Sequence, residues 1–506
     1  MSATRARSVQ NEITISNPAT GERVGSVAVA TAADVKAAAL RARRAQPAWE
    51  RLGVRRRRRV LERFHDLLFE RQDEIFDTIQ RESGKTRREA LGELLIVAGT
   101  ARYYLAHGEE HLAEESHPGA SPLITGARVG HRPYGLVGFI TPWNYPFILS
   151  IGDALPALLA GNAVLVKPSE LTPLSAELGR DLLVASGLDA DLVQLVHGPG
   201  ATVGAELVDH VDYLGFTGST ATGRKVAVAA AERLIPCSLE LGGKNPMIVL
   251  AGAPLEEAVT GLVSGGFYNT GQTCIAVARV YVESRIFDRF AALARRRIEK
   301  LKVGWSLDWD MDVGSLVSRE HAAKVMRHVE DAVGKGATVL TGGQRRSDLG
   351  EAFVAPTLLT DVDESMELCR EETFGPVVAL YPVRDADEAV ARANDSTYGL
   401  NASVWTGSAR TSRALARRIE AGSVGINSTL LIYSTFDVPM GGVKESGIGR
   451  RHGRQGILRF TQAQSIVDSI ATGGGYEGVL ANITSEARAR SLAAAFKLMR
   501  RIPGLR

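Results

Sequence analysis

Tyr213-Leu214-Gly215-Phe216-Thr217-Gly218-Ser219-Thr220-Ala221-Thr222-Gly223 passes from a short apolar run, through a turn of Gly, Ser and Thr, into the helix-like stretch Arg224 to Leu234. The same transition recurs on both sides of it. Apolar runs at Val137 to Ile140, Ala163 to Val166, Val193 to Val196 and Met247 to Leu250 alternate with helical stretches. Strands alternating with helices at this spacing predict an α/β fold with a parallel sheet and crossover helices, the architecture of dinucleotide-binding domains. Amides at a helix N-terminus together with hydroxyls suit a diphosphate, although many strand-to-helix turns need glycine without binding anything.

Working outward, Thr31 to Ala106 carries apolar residues at helical spacing among many charges and reads as successive amphipathic helices. The arginine run from Arg55 to Arg59 falls at a helix entry and reads as a solvated face. Glu115 to Gly135 breaks into Gly, Pro and alternating residues, which predicts a hairpin or extended arm. A second alternation, from Ala253 to Val438, predicts another α/β unit, with a helix over Ile286 to Leu301 and a strand over Val377 to Tyr381. After Thr472-Gly473-Gly474-Gly475 comes a terminal amphipathic helix. Leu492, Ala495, Phe496, Met499 and Ile502 fall on one face of it, and Lys497, Arg500 and Arg501 on another. Such a helix suits an anionic membrane surface, or docking on its own body or a neighbouring subunit, and the pattern favours neither.

A chain of 506 residues is too long for one core. The formal charge of +3, dispersed along the chain, gives no footprint for nucleic acid. Cys237, Cys274 and Cys369 form no CxxC pair and no metal-ligand cluster, so neither a disulfide framework nor a structural metal is expected, and a reducing cytoplasm fits. No export signal or membrane-spanning run is visible.

Four segments carry chemistry. In Thr270-Gly271-Gln272-Thr273-Cys274-Ile275-Ala276, small residues let the backbone approach a ligand, and Cys274 presents its sulfur beside its own amide. A lone cysteine is more often a buried hydrophobe, so the neighbouring motifs must decide. Leu239-Glu240-Leu241-Gly242-Gly243-Lys244-Asn245-Pro246 places a carboxylate before a double-glycine turn: Glu240 is a surface charge or a general base. Thr141-Pro142-Trp143-Asn144-Tyr145-Pro146 holds Asn144 in a rigid loop, either as a turn former or as an aimed hydrogen-bond donor. The fourth is the turn containing Gly218 and Ser219.

Together these segments resemble the signature regions of the aldehyde dehydrogenase superfamily, in that family's order and over roughly Ile13 to Ile466. Cys274 follows Glu240 by 34 residues, similar to the interval between nucleophile and base in that family. Glu371-Glu372-Thr373-Phe374-Gly375-Pro376, Asn394 to Leu400 and Pro439 to Gly447 agree as well. The resemblance implies a Rossmann-like NAD-binding domain at residues 1–114 and 133–241, and a catalytic domain at 242–438. It also implies an oligomerisation arm at 115–132 and 455–470 that makes a homodimer or homotetramer, leaving 471–506 as the tail.

It further implies that Cys274 attacks the aldehyde, that Asn144 and the Cys274 amide hold the oxyanion, and that Glu240 activates the water that hydrolyses the thioester. Trp143, Lys167, Ser169, Glu170, Gly218, Ser219, Leu241, Glu372 and Phe374 are the implied cofactor residues. Glu170 accepts from free ribose hydroxyls and repels a 2′-phosphate, which favours NAD over NADP. Gly447 to Gly453 is similar to bacterial succinate-semialdehyde dehydrogenases, which stand as the alternative. The better-known enzymes of that type clamp the distal carboxylate with arginines, at positions that here are Tyr268 and Gly152. Tyr145, Phe147, Tyr268 and Leu431 are expected to line an apolar entrance instead, suited to an aliphatic or aromatic aldehyde.

Overall fold

The computed structural model describes residues 12–119, 125–469 and 475–499. A short hairpin, Glu12–Ser16 with Arg23–Ala28, precedes four helices at Ala32–Arg51, Val54–Glu70, Gln72–Ser83 and Arg87–His111. Local chemistry marks their starts. Thr31 and Asp34 exchange side-chain and main-chain hydrogen bonds at the first, and Thr86 and Glu89 do so at the fourth. The arginine run at the second helix is not uniformly solvated. Arg55 and Arg58 pair on the surface with Glu109 and Glu62, but Arg57 is buried and donates to the carbonyls of Leu159 and Glu50, each at 2.9 Å. Burial pushes Arg57 down to about 10; it ties the second helix to the carboxyl end of the helix Ala154–Ala160.

Two sheets form the body. The first has six strands in the order Gly447–Ile448, Cys237–Glu240, Tyr213–Thr217, Leu136–Ile140, Ala163–Lys167, Val193–Leu195, all parallel except the first. Its inner strands are almost wholly buried, as a parallel sheet covered on both faces requires. The four expected runs from Val137 to Phe216 all lie in it.

Met247 to Leu250 does not continue that sheet. Asn245–Val249 belongs to a second, seven-stranded sheet, ordered Thr338–Thr341, Thr357–Thr360, Val377–Val383, Val277–Glu283, Asn245–Val249, Asn401–Trp405, Ser423–Ile426 and parallel except at Thr338–Thr341. The reason is steric. The edge beside Cys237–Glu240 is already taken by the returning Gly447–Ile448, and Ser446 accepts from the Leu241 amide while its hydroxyl donates to the Gly242 carbonyl. The chain is thereby led away through Gly242 and Gly243. A Cβ on Gly243 would lie 2.6 Å from the Cys274 carbonyl, so only glycine permits the crossing.

Thr125–Pro133 pairs with Glu115–His117 on one side and Thr461–Ser469 on the other, so the expected arm is a three-stranded antiparallel sheet. From Gln462 onward the last strand is exposed on its outer edge, with Ile466 and Val467 uncovered. The helix Glu486–Met499 buries none of its described residues, while Arg500, Arg501 and Ile502 lie outside the described residues. Among the described residues no helix is long and apolar enough to cross a membrane.

Candidate active site

Cys274 sits after a backbone that few sequences tolerate. Asn269, Thr270 and Gly271 all have positive φ, at 54°, 53° and 70°, and for a β-branched residue such as Thr270 that region is strained. The surroundings hold it there. The Asn269 amide donates to Glu89 Oε1 at 2.6 Å, its side chain donates to the Asn144 and Gln272 carbonyls at 2.9 Å, and Thr270 Oγ1 donates to the Gly314 carbonyl. A Cβ on Gly271 would meet the Gly375 carbonyl oxygen at 2.1 Å. Downstream, Asn245 Nδ2 donates to the carbonyls of Cys274 and Ala276.

The loop bearing Asn144 leaves the carboxyl end of Leu136–Ile140 and is clamped by the same helix, Arg87–His111. Glu93 Oε2 accepts from the Phe147 and Ile148 amides at 3.0 and 3.1 Å, and its other oxygen pairs with buried Lys85 at 2.6 Å. Asn144 is buried, and its Nδ2 donates to the Gln272 carbonyl at 3.0 Å, two residues from the thiol. One hydrogen fixes the amide, which leaves the second for a ligand oxygen.

Glu240 ends its strand facing Cys274. The thiol donates to Glu240 Oε1 across 3.3 Å. Desolvation first, and the carboxylate second, raise the thiol well above its ordinary 9.0, while the charge of Arg451 pulls the other way. Behind Glu240, its second oxygen is ion-paired with buried Arg451. Arg451 and its partner Asp153 lie outside the four motifs in sequence, Arg451 within the Gly447 to Gly453 segment.

A cavity of about 770 Å³ joins Trp143, Asn144, Gly218, Ser219, Glu240, Leu241, Cys274, Glu372 and Phe374, all expected at the site, together with His321 and Lys324, which the motifs missed. Ser219 caps the helix Thr220–Glu232, whose amide end therefore opens on this space. Glu372 accepts from the Gly243 amide at 2.9 Å and is pushed up to about 6 by burial. Phe374, itself at φ 56°, stands edge-on to Trp143 at 5.4 Å, and His321 hydrogen-bonds its carbonyl.

Lys167, Ser169 and Glu170 follow the strand Ala163–Lys167 at the same carboxyl edge. Lys167 Nζ lies 3.1 Å from Glu170 Oε1, which also accepts from the Gly200 amide; Ser169 Oγ accepts from the Leu171 amide. A helix N-terminus, buried carboxylates and an aromatic pair spread along the carboxyl edge of a parallel sheet fit an extended dinucleotide.

A second cavity of about 730 Å³ shares Tyr145 and Tyr433 with the first and is otherwise lined by Leu95, Ile96, Ile148, Tyr268, Thr273, Ile275 and Leu430, with Gly92 and Ser434 at its edge. Tyr145 and Tyr268 are where the sequence reading put them. Phe147 is not: it is fully buried in the core against Gly179. Nor is Leu431, which is 61% exposed; its neighbour Leu430 takes the place on the wall. Both errors come from reading a loop as if every apolar residue in it faced the ligand. Among the described residues no Arg or Lys lines this cavity.

The profile of the aldehyde dehydrogenase family matches residues 4–466. The chain belongs to this family. A protein of Mycolicibacterium smegmatis provisionally named succinate-semialdehyde dehydrogenase (NADP+) is 45% identical over 89% of this chain and 87% of its own length. The 4,4′-diapolycopene aldehyde oxidase of a Methylomonas species is 41% identical over 88% and 83%. Among solved structures, Mycobacterium tuberculosis aldehyde dehydrogenase complexed with NAD+ superposes with a TM-score of 0.87 at 33% identity, covering 92% of this chain and 96% of that one. The chain is thus an aldehyde-oxidising dehydrogenase that uses a nicotinamide cofactor, NAD or NADP.

The raised thiol gives a pH prediction. A thiol above its ordinary value is protonated at neutrality, and its thiolate grows as pH rises toward that value. Iodoacetamide labelling of the Cys274 peptide in the free enzyme should be slow at pH 7 and still climbing beyond pH 9.0. A plateau by pH 8 contradicts the geometry.

Proposed function

We propose that this aldehyde dehydrogenase works through Cys274 as nucleophile and Glu240 as general base, with Asn144 Nδ2 and the Cys274 amide as the oxyanion donors. The observation that carries this is the 3.3 Å contact between Cys274 and Glu240 in a cavity that also holds Asn144. As sulfur attacks the carbonyl carbon, Glu240 takes the thiol proton, and the oxygen gains its charge between the two N–H donors. Bound NAD(P)+ supplies the hydride acceptor that turns the thiohemiacetal into a thioester. Glu240, having released the first proton to solvent, takes one from water. The hydroxide attacks the thioester, the carbon–sulfur bond breaks, the acid leaves, and the proton held by Glu240 passes to the sulfur, restoring the Cys274 thiol and the carboxylate.

Stopped-flow NADH absorbance tests these roles. Cys274→Ala should lose about 10³-fold or more in rate. Glu240→Gln should give at most a single-turnover burst, slowed because the thiol proton must then go to solvent, with its steady phase down about 10²-fold; sustained turnover in the Cys274 variant overturns the mechanism.

For the substrate, the geometry supports an apolar aldehyde: the second cavity reaches Tyr145 and Thr273 beside the nucleophile with aromatic and aliphatic walls, and a relative at 41% identity is named 4,4′-diapolycopene aldehyde oxidase, not a semialdehyde dehydrogenase. A second reading, succinate semialdehyde, rests on the names of several relatives at 43–45% identity, and those names back it more strongly than they back the first. A carboxylate in a wall without a cation is costly to bury. Decanal or benzaldehyde should therefore exceed succinic semialdehyde in kcat/KM by at least about tenfold, and the reverse order selects the second reading.

NAD is preferred in this proposal because Glu170, the residue proposed to meet the ribose, is a carboxylate already bound to Lys167 and the Gly200 amide. The relatives named for NADP+ point the other way. Running the same substrate panel with both cofactors decides.

The exposed outer edge of Thr461–Ser469 supports pairing with another copy. Val467→Lys should lower the mass seen by size exclusion with light scattering; an unchanged mass removes the arm from the interface.

A further inference from the structure

The catalytic pair has a second side that the aldehyde chemistry above does not use. Nη1 of Arg451 is ion-paired with Glu240, Nη2 lies 2.8 Å from Asp153 Oδ2 and 3.1 Å from Thr217 Oγ1, and the other oxygen of Asp153 lies 3.1 Å from Arg459. Charges therefore alternate from the thiol inward: Glu240, Arg451, Asp153, Arg459. Neither charge of the first pair reaches bulk water, since the Glu240 and Arg451 side chains are each 8% exposed.

The backbone carries Arg451 to this place by force of local geometry. Arg451 and Met440 exchange two main-chain hydrogen bonds at 2.8 Å, the following His452 and Gly453 both have positive φ, and Tyr104 donates to the Gly453 carbonyl. Asp153 comes from a different element, at the junction between Ile148–Gly152 and Ala154–Ala160, on the same loop system as Asn144.

We propose that Arg451, shared between Glu240 and Asp153, is the positioning residue that holds Glu240 against Cys274 and sets the pH range over which Glu240 acts as base. This rests on the assignment of Glu240 as the hydrolytic base. A buried carboxylate without a cation favours its protonated form and cannot take a proton from water; one fully claimed by a guanidinium is a poor base. Here the guanidinium is divided between two anions, Glu240 and Asp153. The other groups facing the cluster do not replace Arg451. His452 is pushed down to about 4 by burial and the adjacent arginine, so it is neutral near pH 7. Tyr433 and Tyr104 are raised by burial and stay protonated. The Cys274 thiol is protonated near neutrality, Glu372 brings no positive charge, and Arg459 is bound to Asp153. Among the described residues Arg451 Nε and Arg459 Nε have no hydrogen-bond partner, and both residues line, with Glu240 and Asp153, a small cavity that meets the cofactor space at Thr217 and Glu240.

The test is the pH profile of the slow phase that follows the NADH burst, in the full-length enzyme with cofactor and a turned-over aldehyde. Arg451→Gln should move the acid limb up by about one pH unit or more, and Arg451→Lys should return most of that shift. Asp153→Asn leaves Arg451 to Glu240 alone and should move the limb down. Shifts of opposite sign are a response that a merely structural pair would not give, and the Asp153 and Lys variants keep the test open if Arg451→Gln does not fold. Acid limbs that coincide with wild type in the variants that fold, or that move in the same direction for Arg451→Gln and Asp153→Asn, overturn the proposal. A wild type that oxidises no aldehyde, or a Glu240→Gln variant with an undiminished slow phase, overturns the underlying assignment instead.

Discussion

Two buried carboxylates on one helix, Glu89 and Glu93, accept hydrogen bonds from main-chain amides of the two loops that meet at the thiol: Asn269 on one side, Phe147 and Ile148 on the other. Such charge-assisted bonds each contribute about 1.5–3 kcal/mol, and they work here because the amides have no water to turn to. Desolvation opposes the arrangement, raising Glu89 and lowering Lys85. The Lys85–Glu93 pair and the capping bonds of Glu89 to Thr86 offset that cost. Without these acceptors the left-handed Asn269-Thr270-Gly271 turn keeps only its side-chain bonds, and the relation between Cys274 and Asn144 rests on the Asn144 and Asn269 amides alone.

From that anchor the two sheets acquire their chemical meaning. The first delivers Asn144, Glu240 and the Gly218–Ser219 turn from the carboxyl ends of its strands, the usual place for a ligand in a parallel sheet. The chain then crosses at Gly242 and Gly243 into the second sheet, and the turn holding Cys274 precedes its strand Val277–Glu283. The Cys274 thiol and the Glu240 carboxylate therefore arrive from different sheets and meet only because the crossing is tight enough to place one beside the other. The same crossing sets Glu372 against the Gly243 amide, so the cofactor space and the thiol share one piece of backbone.

Much of this was legible because it is local. Period and turn chemistry locate four of the six strands of the first sheet, the helical run from Thr31 to Ala106 and the arm, and the short motifs hold Cys274, Glu240, Asn144 and most residues proposed for the cofactor. What escaped depends on long-range pairing. Met247 to Leu250 reads like its predecessors, and only the occupied edge beside Cys237–Glu240 sends it to the other sheet. Arg57 reads as one of five surface arginines until the carbonyls of Leu159 and Glu50 are brought to it. Phe147 and Leu430 exchange roles with their apolar neighbours for want of a pattern that tells wall from core. Arg451 and Asp153 are far apart in sequence, each unremarkable alone, and they become partners only through the fold.

The most direct measurement is the trapping of the covalent intermediate. Glu240→Gln enzyme is mixed with aldehyde and NAD(P)+, quenched in acid within the burst, and read by mass spectrometry as intact protein and as peptides. The account predicts one acyl group per chain, carried on the Cys274 peptide. An adduct on Cys237 or Cys369, or NADH formed in the burst with no adduct at all, contradicts it.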